Sequence, residues 1–456
     1  MHALTESLQP ILQAHSQLIP ALRQLSHSVQ NEAYLVGGCI RDTLLNRPVK
    51  DIDLTIDGDG IQHALELAKA IRSRFIPLDE KDRTGRVVIK RKWTIDITSL
   101  KGKTLYQDLN RRDFTINAMA ARLSDTLNQN PTLIDPLNGA RDLHNKALKA
   151  ISEQAFIDDP LRLLRAFRFS AQLDLAINED TGQWITRWTH RLPAMSAERI
   201  LEELSIFLSQ GKTAKWMSAM YEMGIVQVLF PGWFTQKDIE VPGYTLLEQI
   251  DHILEQPDCS SDIRIKNKLA FRKNQVMAGR RLWPWVLRLA AVILEQHQVQ
   301  RPDYEPFLRT AYDRLSLSKK EQKALRRLVG LTGQLLEFHH KETLTDDHLF
   351  NIACEGDEDI IGVVILIEAM QQIHRSSIPA HILNRLLWIQ DRRKIVQQKA
   401  LLVTGTDILQ THQLKPGPQI GRLLEQLEKN QILGTIHTRT EALHAIQGWL
   451  SSPVDE

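Results

Sequence analysis

The stretch Tyr34-Leu-Val-Gly-Gly-Cys-Ile-Arg-Asp42, followed by Lys50-Asp-Ile-Asp-Leu-Thr-Ile56, decides the architecture of the N-terminal part of the chain. In the second segment apolar and polar residues alternate, which predicts a half-buried strand with Asp51 and Asp53 on its polar face. Adjacent carboxylates repel each other unless a cation lies between them. Such oxygen ligands suit Mg²⁺, usually together with substrate phosphates. A solvated polar edge is the alternative for an Asp-x-Asp pattern taken alone.

The first segment predicts a strand over residues 34–36, a tight turn at Gly37-Gly38 and a short helix over residues 39–45. Glycine allows unusual backbone angles and close approach of the backbone to a ligand. A helix N-terminus favours phosphate binding, and Arg41 could add a charge-assisted contact. A phosphate cradle followed closely by a two-carboxylate strand indicates metal-assisted nucleotidyl transfer.

The bulk properties of the 456 residues indicate an ordinary globular protein with several domains. A net charge of +2 means that a nucleic-acid partner would need local basic patches. Cys39, Cys259 and Cys354 form no zinc or disulfide pattern, which fits a reducing compartment. Because no signal pattern or bilayer-length apolar stretch is present, we expect a cytoplasmic location and no membrane partner.

The pattern along the chain predicts an α+β fold, with a small mixed α/β head followed by a long all-helical remainder. Residues 1–30 have the spacing of one amphipathic helix. Residues 31–150 mix helical patterns with strand-like runs, such as residues 87–89 and 94–97. Helical patterns dominate after residue 150.

The segment Arg111-Arg-Asp-Phe-Thr-Ile-Asn-Ala-Met-Ala120 joins a charged cluster to an apolar run. We expect a helix here, with Asp113 or Thr115 as the N-terminal cap. Arg112 could reach a nucleotide phosphate. A surface cluster of ion pairs is the alternative.

The segment Asp158-Asp-Pro-Leu-Arg-Leu-Leu-Arg-Ala-Phe-Arg168 predicts a helix with Pro160 in its first turn and an aspartate as its cap. Arg162, Arg165 and Arg168 recur every three residues and form a stripe on that helix. An ordinary basic face is the alternative, but three arginines without a lysine favour planar, bidentate contacts.

Asp159 and Arg162 together could distinguish nucleobases. Cytosine and adenine each present an amino donor beside an acceptor, which a carboxylate and a guanidinium would match. Uracil and guanine present a carbonyl where the amine should be. An unpaired buried polar group costs about 1–3 kcal/mol, so two side chains could admit C and A without a template strand.

With these motifs in this order over most of its length, the chain resembles the bacterial, class II tRNA nucleotidyltransferase and poly(A) polymerase family of the DNA polymerase beta nucleotidyltransferase superfamily. Further matching segments are Asp135-Pro-Leu-Asn-Gly139, Glu198-Arg-Ile200, Glu202-Glu-Leu204, Gly405-Thr-Asp407 and Lys415-Pro-Gly-Pro-Gln-Ile-Gly421.

The resemblance implies an enzyme that adds C or A residues from CTP or ATP to the tRNA 3′ end and releases pyrophosphate. It implies that Asp51 and Asp53 bind the catalytic Mg²⁺, with Asp96 as a possible third carboxylate. The implied nucleotide-binding residues are Gly38, Arg41 and Arg112 for phosphates and sugar, Asp159 and Arg162 for the base, and Arg165 and Arg168 as their support.

The resemblance also implies a division of labour along the chain. Residues 1–30 form an N-terminal helix, 31–150 the catalytic head, 151–215 a neck for base recognition, and 216–456 a helical body and tail for the tRNA acceptor arm. Candidate RNA-contacting residues in the body fall in three basic runs: Arg264, Lys266, Lys268, Arg272 and Lys273; Lys319, Lys320, Lys323, Arg326 and Arg327; and Arg392, Arg393 and Lys394.

The link between Ile97 and Asp108 is short, whereas full CCA-adding relatives usually carry a longer flexible loop there. This favours a CC-adding subtype, with A-adding and full CCA addition as alternatives. A poly(A) polymerase would have a basic tail, but residues 451–456 are acidic. A catalytically inactive tRNA-binding protein would have lost metal and nucleotide positions, and here each is present.

Overall fold

The computed structural model describes residues 2–28, 32–90, 92–233, 243–256, 263–295, 304–340, 344–374, 376–399 and 401–451. The last residues of the acidic C-terminus, 452–456, lie outside these ranges. The chain divides into two compact units, a first unit of Met1–Phe207 with Glu222–Leu229 and a second unit of Leu208–Tyr221 with Phe230–Glu456. A mixed sheet in the first unit and a mostly helical remainder confirm the α+β prediction.

The first unit is built on a six-stranded sheet in the order β3-β4-β5-β2-β1-β6. Its strands are β1 (Ala33–Val36), β2 (Asp51–Ile56), β3 (Arg74–Asp79), β4 (Thr84–Ile89), β5 (Trp93–Ser99) and β6 (Ala120–Arg122). Strands β2 and β5 run parallel, and their register sets Asp53 beside Asp96. The strand predicted from the alternation around Asp53 is therefore present. Its apolar residues Ile52 and Leu54 are buried in the core.

Helices surround this sheet and continue beyond it. They are α1 (His2–Leu12), α2 (Leu18–Ser28), α3 (Gly38–Leu44), α4 (Gly60–Ala70), α5 (Leu105–Leu109), α6 (Leu123–Leu127), α7 (Gly139–His144), α8 (Gln154–Asp158), α9 (Arg162–Leu173), α10 (Glu179–Trp188) and α11 (Ala197–Phe207). Strands β7 (Ala147–Leu148) and β8 (Ala176–Ile177) form a small parallel pair between them. The helix predicted after Asp159 is present as α9, but it begins at Arg162, so Pro160 lies before it, and no aspartate side chain caps it.

Residues 1–30 differ from the single helix that the spacing predicts. Helices α1 and α2 are separated by a turn, and their apolar residues, such as Leu8 and Leu22, belong to the same core as the sheet residues Ile52 and Leu54. The apolar spacing is correct for each helix. It carries no information on the turn that lets both helices pack on one core.

The prediction of a helix in the segment 111–120 is wrong. Residues Thr115–Asn117 form one 3₁₀ turn, and the chain then enters β6, which pairs with β1. The Asp113 carboxylate accepts hydrogen bonds from the Phe114 backbone amide at 2.8 Å and from the Asn117 side chain at 3.0 Å. These local hydrogen bonds to the Asp113 side chain compete with helix formation. The following residues pair instead with the edge of β1 as strand β6.

Helix α12 (Thr213–Glu222) lies almost wholly in the second unit, and α13 (Ile225–Leu229) belongs to the first. Over its described residues, the second unit is otherwise helical except for the hairpin β9 (Val276–Ala278) and β10 (Arg281–Leu282). Its further helices are α14 (Thr245–Glu255), α15 (Ile263–Lys273), α16 (Pro284–Glu295), α17 (Glu305–Arg314), α18 (Lys319–His340), α19 (Asp346–Gly356), α20 (Ile360–Gln372), α21 (Ala380–Gln398), α22 (Gly405–His412), α23 (Pro418–Leu433) and α24 (Arg439–Ser451). Helix α20 is apolar on all sides and is buried among its neighbours, as such a helix must be. Over the described residues, no helix combines the length and apolarity that crossing a bilayer requires.

Candidate active site

A cavity of about 600 Å³ in the first unit gathers most of the residues that the sequence singles out. Of the nine candidate positions, it is lined by Gly38, Arg41, Asp53, Arg112, Asp159, Arg162, Arg165 and Arg168. The ninth, Asp51, lines an adjoining cavity of about 300 Å³ together with Gly38, Arg41 and Asp53. Residues far apart in the chain thus meet around Asp51 and Asp53, at the start of β2. Their individual roles stay predictions.

The turn between β1 and α3 is built on Gly37 rather than on Gly38. Gly37 has φ +71° and ψ −123°, a conformation that side chains rarely adopt. A Cβ at this position would also lie 3.2 Å from Nη1 of Arg112. The turn therefore brings bare backbone close to an arginine at the cavity wall.

The three carboxylates of the central strands differ in their partners. Thr94 donates a hydrogen bond to Asp51 at 2.6 Å. Asp96 accepts two hydrogen bonds from the guanidinium of Arg86, both at 2.7 Å. Among the described residues, no group of three or more His, Cys, Asp or Glu side chains is arranged to hold a metal ion. Asp96 is therefore beside Asp53 in the sheet but is bound to Arg86.

The surroundings of Asp53 disfavour its ionised form. Burial raises its pKa to about 6, the charges of Asp96 and Asp51 act in the same direction, and Arg112 and Arg41 only partly oppose them. A divalent cation at this point would remove the repulsion, so the donor set fits a hard metal ion with oxygen ligands.

The neighbouring thiol of Cys39 is not suited to nucleophilic chemistry. Burial and the charge of Asp53 raise its pKa to about 12. A thiol with this pKa stays protonated at neutral pH, and the thiolate is the reactive form. Cys39 donates instead to the Val36 carbonyl at 3.4 Å.

Two arginines are held at the mouth of the Gly-Gly turn. Arg41 donates to the Asn117 side chain at 2.7 Å and to Asp42 at 2.9 Å. Arg112 donates to Asp108 at 3.0 Å and to the Thr55 hydroxyl at 3.1 Å. Each guanidinium is thus oriented by protein groups before any ligand arrives, as anion binding requires.

A network of buried carboxylates holds the arginines of α9. Arg165 pairs with Asp113 at 2.7 Å and with Glu203 at 3.2 Å, and Arg168 pairs with the same Glu203 at 2.7 Å. Burial alone would raise the pKa of Asp113. The charge of Arg165 and the hydrogen bonds from Asn117 and Arg165 outweigh burial and hold that pKa well below its usual range.

The two residues expected to read a base are engaged by protein partners. Asp159 accepts from Arg199 at 3.0 Å and from the backbone amide of Leu161 at 3.2 Å. The guanidinium of Arg162 donates to the carbonyl oxygens of Arg111 at 2.8 Å and Arg112 at 3.1 Å. A base would therefore meet side chains whose orientation is already set.

Sequence reasoning missed the residues that orient the predicted ones. Asn117, Asp113 and Glu203 bind the guanidinium groups of Arg41, Arg165 and Arg168 and lie within segments that the family resemblance already includes. Phe169, directly after the arginine stripe, was missed as well. Polar residues inside an apolar stretch were the available signal for the first three, because buried polar groups need partners.

Comparison with protein families agrees with this geometry. Residues 33–149 match the family described as "Poly A polymerase head domain". Residues 174–236 match "Probable RNA and SrmB- binding site of polymerase A", and residues 293–446 match "tRNA nucleotidyltransferase domain 2 putative". The first match contains the Gly-Gly turn and all three carboxylates of the central strands.

Individual relatives cover nearly the whole chain. The CC-adding tRNA nucleotidyltransferase of Geobacter sulfurreducens is 30% identical over 412 residues, which is 90% of this chain and 90% of the relative. The CCA-adding enzyme of Leuconostoc citreum is 26% identical over 455 residues, covering 94% of this chain and 95% of that enzyme. A solved structure of a CCA-adding enzyme with ATP has the same fold, with a TM-score of 0.71, 21% identity and 98% of both chains covered.

Proposed function

Because this chain belongs to the tRNA nucleotidyltransferase family, to whose Geobacter member it is 30% identical, we propose that its 600 Å³ cavity is the site of nucleotide addition to tRNA. The substrates are CTP, ATP or both, and the acceptor is the 3′ end of tRNA. The observation that carries the proposal is the meeting of the carboxylate strand, the Gly-Gly turn and the arginine helix α9 at one cavity.

The reaction that fits this site is transfer of a nucleoside monophosphate without a template. The 3′-hydroxyl of the RNA gives up its proton to solvent as its oxygen forms a bond to the α-phosphorus of the nucleotide, and the bond from that phosphorus to the β-phosphate oxygen breaks. Pyrophosphate leaves. The protein supplies positioning and charge for this exchange rather than a covalent intermediate.

Asp51 and Asp53 would hold Mg²⁺, the ion that suits carboxylate and phosphate oxygens together. When bound, such an ion lowers the pKa of the attacking hydroxyl and stabilises charge on the leaving phosphates. The fit rests on the mutual repulsion of these carboxylates: burial and the charges of Asp96 and Asp51 raise the pKa of Asp53 to about 6.

The nucleotide would lie between the Gly-Gly turn and α9. Arg41 and Arg112 would offer guanidinium groups to the triphosphate and sugar. Gly38 has no side chain, so its backbone leaves room for the phosphates. Asp159 and Arg162 would face the base, matching the amino donor and neighbouring acceptor of C or A. Arg165 and Arg168 keep this wall in place through Asp113 and Glu203.

We assign the chain to the CC-adding subtype on the basis of the link between β5 and α5. This link is tied down along its length: the Lys101 amide donates to Asp108 at 3.0 Å, and its ammonium group binds Asp82 at 2.6 Å. The Lys103 amide donates to Gln107 at 2.7 Å. These contacts restrain a short segment, which supports the proposal that it does not change the pocket from C to A as a longer loop would.

The test uses purified protein, Mg²⁺ and a tRNA that ends at the discriminator base, supplied with CTP alone, ATP alone or both. We expect two C residues from CTP and no further addition when ATP is present, as counted on a sequencing gel. A matched reaction with Ca²⁺ or EDTA in place of Mg²⁺ tests the metal.

The alternatives give different gels. A complete CCA end would refute the subtype and leave the family activity intact. Addition of A alone to a tRNA ending in CC would mark an A-adding enzyme, and long A tracts on unstructured RNA would mark a poly(A) polymerase. No addition under any of these conditions would refute the proposal in favour of a tRNA-binding protein without activity.

A further inference from the structure

Phe169 is an aromatic ring among the arginines of the candidate site. It lies on α9, is only 4% exposed and lines the 600 Å³ cavity. The guanidinium carbon of Arg168 lies 4.2 Å from the ring centroid, that of Arg41 5.1 Å, and that of Arg165 5.3 Å. Three cations from two helices thus surround one side chain that carries no charge.

These cations oppose one another. Burial lowers the pKa of Arg168, and the charges of Arg165 and Arg41 lower it further, while Glu203 and Asp113 act in the other direction. The structure must therefore hold like charges together. Glu203 and Asp113 do so for the two arginines of α9, whereas Arg41 binds Asn117 and Asp42.

An aromatic ring solves this problem differently from a carboxylate. The negative face of its quadrupole attracts a guanidinium, but the ring adds no charge to the site. A carboxylate in the same place would cancel part of the positive charge that a triphosphate needs. A ring can gather the arginines and leave their charge available.

The ring itself is fixed. Phe114 packs edge-to-face against Phe169, with centroids 5.8 Å apart and the ring planes at 80°. Phe114 is fully buried, and its backbone amide donates to Asp113. The aromatic pair therefore belongs to the same network as the ion pairs. Packing against Phe114 restrains the ring of Phe169, as the ion pairs restrain the carboxylates.

We propose that Phe169 is a nucleotide-positioning residue, whose ring holds Arg41, Arg165 and Arg168 in one arrangement for a nucleoside triphosphate. It acts through the arginines and does not itself contact the nucleotide. The ligand class rests on the function proposed above, but the role of the ring is tested separately.

The experiment compares Phe169→Leu, which removes the ring face, with Phe169→Tyr, which keeps it. Phe167→Leu is the matched control, because Phe167 lies on the same helix and is fully buried. For each variant we would measure CTP affinity by calorimetry, KM and kcat for CTP, and the urea midpoint. We expect Phe169→Leu to weaken CTP binding and raise KM by about tenfold, since the variant loses the ring face that attracts the three guanidinium groups.

We expect kcat to change much less than KM, Phe169→Tyr to retain nearly wild-type binding, and Phe167→Leu to lower the urea midpoint without weakening CTP binding. The inference is refuted if Phe169→Leu binds CTP as tightly as Phe167→Leu does. It is also refuted if Phe169→Tyr loses as much affinity as Phe169→Leu, because the role would then be space filling. Wild-type protein that binds CTP but adds no nucleotide would contradict the proposed reaction only.

Discussion

The arginines of the two units are used in opposite ways. In the second unit Arg288 and Arg272 are 3% and 4% exposed, and each binds a buried aspartate, Asp251 or Asp359. In the first unit the arginines of α9 are partly exposed at the wall of a large cavity, although Asp113 and Glu203 hold them. Arginine therefore forms buried ion pairs in the core of the second unit, whereas in the first unit it lines the wall of a cavity.

This difference shows that a basic run in a sequence does not by itself mark a nucleic-acid surface. In the run 264–273, Lys268 binds Asp391, and Arg272 binds Glu358 and Asp359. In the run 319–327, Lys320 donates to the Val276 carbonyl at 2.7 Å and Arg327 pairs with Asp359 at 3.4 Å. These side chains have structural partners, and contact of the runs with RNA stays a prediction.

The largest expected effect is loss of activity without loss of the fold in Asp53→Asn. Loss of a metal-binding carboxylate removes several kcal/mol of transition-state stabilisation, so we expect kcat for CTP addition to fall roughly a thousandfold. The single-turnover rate with Mg²⁺ measures it, beside Asp125→Asn on α6 as control. Activity within tenfold of wild type would show that Asp53 is not a required metal ligand. The functional contrast between the two units would then lack its main support.

The opposite pattern is expected for Asp251→Asn in the second unit. Arg288 donates to Asp251 at 2.6 Å, and both are buried. Removing the counter-charge leaves a buried cation unpaired, so the free energy of unfolding should fall by about 3–5 kcal/mol. CTP affinity of the folded protein should not change.

Urea unfolding and calorimetry measure the two quantities for Asp251→Asn. The control is Asp347→Asn, which breaks the exposed pair with Lys429 at 2.9 Å and should cost about 0–1 kcal/mol. If Asp251→Asn weakened CTP binding while its urea midpoint stayed at the wild-type value, the division between structural and functional arginines would be wrong.

A smaller, pH-dependent effect is expected for Asp113→Asn in the first unit. Arg165 and Asn117 hold the pKa of Asp113 below its usual range despite burial. A lowered pKa in the folded state means that the ionised carboxylate stabilises the fold above the unfolded pKa of about 3.9, and that this contribution is lost as pH falls below it. We expect the variant to be less stable by about 2 kcal/mol at pH 7.

Urea unfolding of wild type and Asp113→Asn at pH 7 and pH 3 measures this dependence. The difference between the two proteins should be smaller at pH 3, and the exposed Asp180→Asn on α10 should show little difference at either pH. A gap that stays constant from pH 7 to pH 3 would mean that packing, rather than charge, explains the role of Asp113.

The sequence predicts which residues gather at one cavity better than it predicts the local structure around them. The alternation around Asp53 and the apolar spacing after Asp159 are local patterns, so β2 and α9 follow from them, although the aspartate cap predicted for α9 is absent. The segment 111–120 fails because its strand depends on β1, a partner remote in the chain. Periodicity cannot report a partner that only the tertiary fold supplies.

The same reason explains which site residues were found. Arg162, Arg165 and Arg168 could be singled out because they repeat along one helix, and all three line the cavity, while their roles stay predictions. Glu203 meets the arginines of α9 from another helix, and Phe169 meets Arg41 from α3 as well as the arginines of its own helix, so the sequence does not show which groups they contact. A sequence motif shows the groups that could face a ligand, whereas the groups that orient them become visible only in the fold.

The smallest of the expected effects concerns base choice, and it tests whether an arginine of α9 acts as a planar group or as a charge. The guanidinium of Arg162 spans the carbonyl oxygens of Arg111 and Arg112, which fixes its plane toward the cavity. Arg162→Lys keeps the charge and loses the plane. We therefore expect the preference for CTP over UTP, as a ratio of kcat/KM, to fall about tenfold, the lower part of the range for one unpaired polar group.

Arg187→Lys is the control, because Arg187 is 62% exposed and pairs with Glu153. An unchanged ratio together with a higher KM for both nucleotides would make Arg162 a source of positive charge, the role proposed for Arg41 and Arg112, and would leave base reading to Asp159.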